Sequence, residues 1–190
     1  MEIRDLLIRE MQDLYDAEKQ LVKALPKLAK AASNTELRQA FTDHTEETKG
    51  QVQRLEQAFQ MLGVKAKGKP CAAMKGLITE AQETMGEEME DPLMDSAIIA
   101  AAQKVEHYEI AGYGTICAWA NAIGLNDVSD LLEETLDEEK ATDDKLTEIN
   151  EPILAEMGRD AGQEDAEEAP APAKKSAGKT QAAGSGRKAG

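Results

Sequence analysis

Four helical segments of this chain each place an acidic side chain where the apolar stripe of the helix should continue. Glu18, Glu47, the pair Glu106 and Glu109, and the pair Glu139 and Asp143 hold those positions, each near the middle of its segment. Carboxylates directed into a helical core are costly unless positive charge or hydrogen bonds meet them. About six of them, unmatched, would outweigh the ~5–15 kcal/mol that stabilises a domain. Three outcomes remain: the group binds cations, it carries protons, or it is not buried. Cation binding is the expectation.

The elements that must position these groups are helices, because Ala, Leu, Glu, Lys, Gln and Met dominate and aromatics make up only 3% of the residues. Segment A runs from about Ile3 to Ala32, with Ile3, Leu7, Met11, Leu14, Leu21, Leu25 and Leu28 at spacings of three and four. Pro26 lies inside this pattern and predicts a kink or a division. Ser33 and Glu36 stand at capping-box spacing and predict the start of segment B, which runs to Leu62 and ends at Gly63. Residues 63–91 form a long connector with a basic loop at Lys65–Pro70 and a short helix near Ala72–Met85. Asp91 as N-cap, followed by Pro92, predicts the start of segment C, which stops at Gly124. Asn126 then caps segment D, which ends near Pro152 or a little beyond. Short A–B and C–D links around a long B–C connector describe an all-α, ferritin-like four-helix bundle with one crossover.

Register brings the acids to one level. Around the A–B turn near residue 33, Glu18 lies 15 positions before and Glu47 lies 14 after. Around the C–D turn near residue 125, Glu109 lies 16 before and Glu139 lies 14 after; Glu106 lies 19 before and Asp143 lies 18 after. At 1.5 Å of rise per residue these mismatches amount to roughly 3 Å or less. Phase agrees on segments A, C and D. On segment B, His44, Glu47 and Gln51 share a face that is only partly apolar, so the register there is open to a slip of one residue. Donors that are mostly carboxylate oxygen, with His44 as the one good nitrogen, suit iron or manganese better than zinc or copper. His107 adjoins Glu106 and points about 100° away, which reads as a surface or supporting group. Tyr15, Tyr108 and Tyr113 lie close enough in sequence to the acids to donate hydrogen bonds or relay electrons, though bundle packing is their commoner use.

Composition bounds the remaining classes. The formal charge is −15, and residues 1–157 hold 16 basic against 32 acidic residues. So acidic a body repels nucleic-acid phosphates and anionic lipid. No apolar run approaches the ~20 residues of a membrane span, and charges recur from Glu2 onward, against a signal peptide. Cys71 and Cys117 have no metal-ligand spacing and read as two idle thiols in a cytoplasmic protein. The folded domain is expected to span residues 1–157. Residues 158–190, rich in Gly, Ala, Pro and Lys without periodicity, are expected to be a disordered, solubilising tail.

The runs Asp13–Leu21, His44–Gln51, Val105–Gly114 and Leu132–Glu139, one per helix, resemble the bacterial YciF/YciE-like family over about residues 1–155. The resemblance implies a ferritin-like fold, a tie to stress responses, and kinship with rubrerythrin and manganese catalase. By position, Glu18 resembles the first-helix ligand of rubrerythrins, and Glu106 and Glu109 resemble their third-helix Glu-x-x-Glu. Glu139 and Asp143 stand at the spacing of their fourth-helix Glu and His, with Asp in place of His. The second-helix Glu-x-x-His is absent: Gly50 follows Glu47 by three, and the local order is His44-x-x-Glu47. Fewer nitrogen ligands add negative charge and favour the metal's oxidised state.

These observations predict a dinuclear iron or manganese centre bound by Glu18, His44, Glu47, Glu106, Glu109, Glu139 and Asp143. Dioxygen or peroxide would be its small-molecule partner, and a homodimer its assembly. Two other readings stay open: metal sequestration without turnover, and a stress-response protein that acts through its surface alone.

Overall fold

The computed structural model describes residues 2–167. Five helices make up the described residues: α1 (Ile3–Ala31), α2 (Thr35–Met61), α3 (Ala72–Thr84), α4 (Asp91–Ala122) and α5 (Asn126–Glu167). Helices α1, α2, α4 and α5 correspond to segments A to D. The short helix expected in the connector is α3, which packs on α4 and α1. Within the bundle α1 packs on α2 and α4, and α5 packs on α2 and α4.

Two sets of contacts fix the direction of the crossover. At one end, the Arg4 guanidinium near the start of α1 donates to the Leu62 carbonyl at the end of α2, at 2.7 Å. At the other end, the carboxylate of Asp95, in the first turns of α4, holds the α1–α2 turn. It accepts from the Ser33 amide at 2.8 Å, the Ser33 hydroxyl at 2.5 Å and the Asn34 amide at 2.8 Å. The 62–91 segment therefore travels the length of the bundle, and α2 and α4 run parallel. On the way it is pinned to α1, where the Lys69 amide donates to the Gln12 carbonyl and the Cys71 amide to Asp16.

Local signals place most boundaries, with informative differences. Gly63 and Gly124 adopt φ of 67° and 77°, a left-handed backbone that favours glycine, and they end α2 and α4 as expected. Asn34, rather than Ser33, caps α2, accepting from the Glu36 and Leu37 amides. Ser33 is committed to Asp95 instead, a partner 62 residues away that no local pattern could reveal. Helix α4 is capped at Glu90, with Asp91 as its first residue. Neither proline breaks its helix. Pro26 and Pro152 both face water, where the missing N–H leaves a carbonyl that solvent can satisfy. Helix α5 consequently runs past Pro152 to Glu167, so the first ten residues assigned to the tail are helical. The rest of that predicted tail, residues 168–190, lies outside the described residues.

The core is divided in two. One apolar cluster gathers Leu21, Leu25, Leu28, Leu37, Phe41, Ile98, Ala102, Leu146 and Ile149. The other gathers Leu7, Met11, Leu14, Leu55, Phe59, Tyr113, Ile116, Val128 and Leu132. Along each long helix the change from one cluster to the other falls at the acidic positions: Leu14 to Leu21 on α1, Phe41 to Leu55 on α2, Val105 to Tyr113 on α4, and Leu132 to Leu146 on α5. A polar layer thus lies across the bundle, with a hydrophobic plug on each side.

Removing the Asp95 carboxylate would leave two amides and a hydroxyl of the α1–α2 turn without their acceptor. Asp95→Ala is expected to lower unfolding free energy by about 2–3 kcal/mol, measured by urea denaturation at constant slope. A change below about 0.5 kcal/mol would show that the turn does not depend on this clamp.

Candidate metal centre

Each helix delivers its group to the polar layer by continuing its buried stripe. Leu7, Met11, Leu14, Glu18, Leu21 and Leu25 form the inward face of α1. On α4, Val105, Glu106, Glu109 and Tyr113 are buried in succession. On α2 the buried face runs through Phe41, His44, Thr48, Gln51 and Leu55, and on α5 through Leu132, Thr135, Glu139, Leu146 and Ile149. Five expected site residues are buried: Glu18, Glu109 and Glu139 have no exposed surface, Glu106 has 1% and His44 has 3%.

Geometry converges on His44. Its Nε2 lies 3.6 Å from Glu106 Oε1 and 3.7 Å from Glu139 Oε2. One ligand atom from each of these three residues lies within 4.8 Å of the other two. On the far edge of the ring, Nδ1 stands 3.2 Å from Glu47 Oε2 and 3.3 Å from Thr142 Oγ1. Nδ1–H donating to Glu47 would leave Nε2 with a free lone pair directed at the two glutamates, the arrangement a metal-binding histidine needs. Glu18 accepts a short hydrogen bond from the Tyr113 hydroxyl at Oε1. Six buried carboxylate oxygens have no hydrogen-bond partner: Glu18 Oε2, Glu106 Oε2, and both oxygens of Glu109 and of Glu139.

Glu47 and Asp143 stand apart from this group. The Glu47 side chain is 48% exposed and serves as the acceptor behind His44. Counting from His44 at 100° per residue, Glu47 falls roughly 60° off the inward line that Thr48 and Gln51 keep. Asp143 is 19% exposed, accepts from Gln103 Nε2 at 3.0 Å, and lies 3.4 Å from His107 Nε2. Three residues on from Glu139, Thr142 takes the position that leads to Leu146, and Asp143 turns toward the rim beside α4. His107 itself is 70% exposed, in keeping with its sequence reading.

The partners of three polar side chains escaped the sequence reading. Gln51 is buried with Oε1 unpartnered, while its Nε2 donates to Glu138. Arg54 pairs with both oxygens of Glu138 and with Glu134, placing a guanidinium beside the acidic layer. Tyr108 donates to Asp13 and contacts the Cys71 thiol at 3.1 Å, and the same thiol caps α3. Apart from the α3 cap, each joins residues more than 25 positions apart, which spacing within one helix cannot show. Both cysteines are free and buried.

Electrostatics reflect four carboxyl groups sharing one buried space. Burial raises Glu18 well above the usual carboxylate range, and the charge of Glu139 adds to the shift while the Tyr113 hydrogen bond opposes it. Burial likewise raises Glu109, reinforced by Glu18, Glu139 and Glu106. Glu139 is raised by burial and by Glu106, against the pull of His44. Glu106 is pushed up to about 8, chiefly by burial. For His44, burial works against the imidazolium, but the Glu47 hydrogen bond and the charges of Glu139, Glu47 and Glu18 prevail and raise it. Glu47 is lowered by its bond to His44. The donor set fits a hard divalent cation: oxygen-rich, with one imidazole and buried carboxylate oxygens that no hydrogen bond satisfies.

A crossover bundle whose core is interrupted by a buried carboxylate–histidine layer defines a ferritin-like helical protein. Residues 2–158 match the family described as a domain of unknown function, DUF892, and the chain belongs to that family. It is 51% identical over 148 residues to protein YciF of Escherichia coli K12, spanning 77% of this chain and 89% of that protein. The crystal structure of the E. coli stress protein YciF superposes with a TM-score of 0.79 at 48% identity, covering 81% of this chain and 98% of that one. YcfI of Rhodopseudomonas palustris gives 0.76 at 48% identity, covering 77% and 94%. A thioferritin of Bacteroides fragilis shares the fold, with a TM-score of 0.60 at 16% identity and coverage of 86% and 92%. The resemblance to YciF-like proteins read from the four helix motifs is thereby borne out. No described helix is long and apolar enough to cross a membrane.

Raised carboxyl pKa values mean that the metal-free native state holds more protons than the unfolded chain. Stability must then fall as pH rises, from near the ordinary carboxylate value of 4.5 through about 8, the value Glu106 reaches. The raised His44 acts in the same direction. Urea denaturation of chelator-treated protein should give a clearly lower unfolding free energy at pH 8 than at pH 5.5. A flat or rising profile would show that these groups are not buried together.

Proposed function

We propose that the protein binds two divalent iron or manganese ions in the polar layer and acts in stress defence through them. Six unpartnered buried carboxylate oxygens carry this reading. Charge supports the number two. Glu18, Glu106, Glu109 and Glu139 bear four negative charges when ionised, which two divalent cations balance while His44 stays neutral. One cation would leave two charges uncompensated in an apolar setting. Glu106, Glu139 and His44 would hold one ion, and Glu18 and Glu109 would complete the set for its neighbour. When bound, such a pair supplies Lewis acidity and a reversible one-electron change at each ion toward dioxygen or peroxide.

The chain's own residues prepare that site. Glu47 and Thr142 fix the His44 ring so that Nε2 faces inward. Tyr113 orients Glu18 and is a proton donor at Oε1. The two apolar clusters exclude water on either side of the layer. E. coli YciF is described as a stress protein, and limiting free iron or removing peroxide are both roles such a site suits. Sequestration without turnover is the second reading, favoured by the near-total burial of every glutamate in the layer. Peroxide consumption by the loaded protein separates the two.

Elemental analysis of protein reloaded with iron or manganese is expected to find about two ions per chain. Glu109→Gln and Glu139→Gln should each reduce that content while making the metal-free protein more stable, by about 1 kcal/mol, because a buried like charge is removed. Sub-stoichiometric metal in the wild type after reloading would overturn the proposal.

A further inference from the structure

A cleft of about 280 Å³ opens between α2 and α5 over the polar layer. Its walls include Ala40, Asp43, Glu47, Glu138, Ala141 and Thr142, and His44 lines it as well. His44 is the one member of the buried set that does so; the four glutamates lie behind it. The ring spans the boundary: Nδ1 meets Glu47 and Thr142, which both line the cleft, and Nε2 meets Glu106 and Glu139 in the interior.

We propose that this α2–α5 cleft is the port through which a hydrated divalent cation reaches the buried carboxylates, with Asp43 and Glu47 drawing it in and His44 as the inner door. Charge in the cleft is arranged for that ligand. Glu138 is committed to Arg54 and Gln51, and Lys145, the cation of the wall, is drawn to Glu36 at 2.5 Å. Asp43, at the mouth, accepts from the neutral Gln39 at 2.7 Å and is paired with no Lys or Arg among the described residues. Glu47, half exposed, touches both solvent and the His44 ring. An ion held first by Glu47 competes with the ring for the same carboxylate. Engaging the ion therefore loosens the Nδ1 contact that holds the door. The remaining wall is small or apolar at Ala40, Ala141 and Leu146, which leaves room for an ion and part of its water.

The port rests on the two-ion reading, and the test separates the two. Metal-free full-length protein is mixed with Mn(II) alone, and uptake is followed by loss of the free Mn(II) electron paramagnetic resonance signal. Saturating stoichiometry is measured on the same samples. Ala141→Trp places a bulky ring on an exposed turn at the cleft wall, and Asp43→Asn removes charge at the mouth without touching the buried set. Each is expected to slow uptake, Asp43→Asn by about tenfold at low salt with the difference shrinking as salt rises. Neither should change the number of ions bound at saturation. Ala73→Trp, beside the cleft between α3 and α4, should leave the rate as it is in the wild type. Equal rates in wild type, Ala141→Trp and Asp43→Asn at full stoichiometry would overturn the port alone, as would slowing by Ala73→Trp instead. Absence of Mn(II) and Fe(II) binding by the wild type would overturn the two-ion reading itself.

Discussion

Four glutamates confined to one level of a helical bundle set the terms for the rest of this structure. Their mutual repulsion and the loss of water oppose folding, and burial is the largest contribution to every raised carboxyl pKa in the group. The bundle holds them in place through the two hydrophobic clusters, one on each side of the layer, which are far larger than the layer itself. Stability is thus concentrated away from the polar layer. That separation lets the layer keep unpartnered oxygens ready for a ligand, at a cost that the ligand can offset when it binds.

Support for the layer comes from partners distant in sequence. Tyr113 fixes Glu18 across the α1–α4 contact, and Thr142 meets His44 across the α2–α5 contact, where Glu47 of the same helix holds the ring as well. Arg54 brings positive charge next to the acidic layer while remaining tied to Glu138 and Glu134. The Asp95 clamp on the α1–α2 turn anchors the start of α4, and that sets the axial level at which Glu106 and Glu109 meet Glu18. A displacement of one residue in any of these contacts would shift an oxygen by roughly 1.5 Å along the bundle.

Much of this was legible in the sequence, because it rests on helical period and on loop length. Apolar spacing marked four long helices, the unequal connectors gave the crossover, and counting from the turns brought Glu18, Glu106, Glu109 and Glu139 to one level. Segment B and the later part of segment D were harder for one physical reason. Their inward faces are not apolar: His44, Thr48 and Gln51 on α2, and Thr135, Glu139 and Thr142 on α5, give little hydrophobic signal from which to take a phase. Glu47 was assigned to the interior on a phase left open to a slip of one residue, and Asp143 on a phase taken to continue Leu132 and Leu136 into Leu146; both lie at its edge. Glu47 instead stands behind the histidine, a role that a one-dimensional spacing cannot distinguish from ligation. The reversed His-x-x-Glu order on α2 still delivers a nitrogen to the layer. The contacts of Asp95, Arg54 and Tyr108 were hidden for a different reason, since each depends on which helices become neighbours.

Crystals of protein purified without chelator, exposed at X-ray energies on either side of the iron and manganese edges, test the central claim most directly. Two anomalous peaks per chain should appear inside the bundle, enclosed by Glu18, His44, Glu106, Glu109 and Glu139. Crystals reloaded with either metal that show no such peaks, or peaks only at surface carboxylates, would contradict the account.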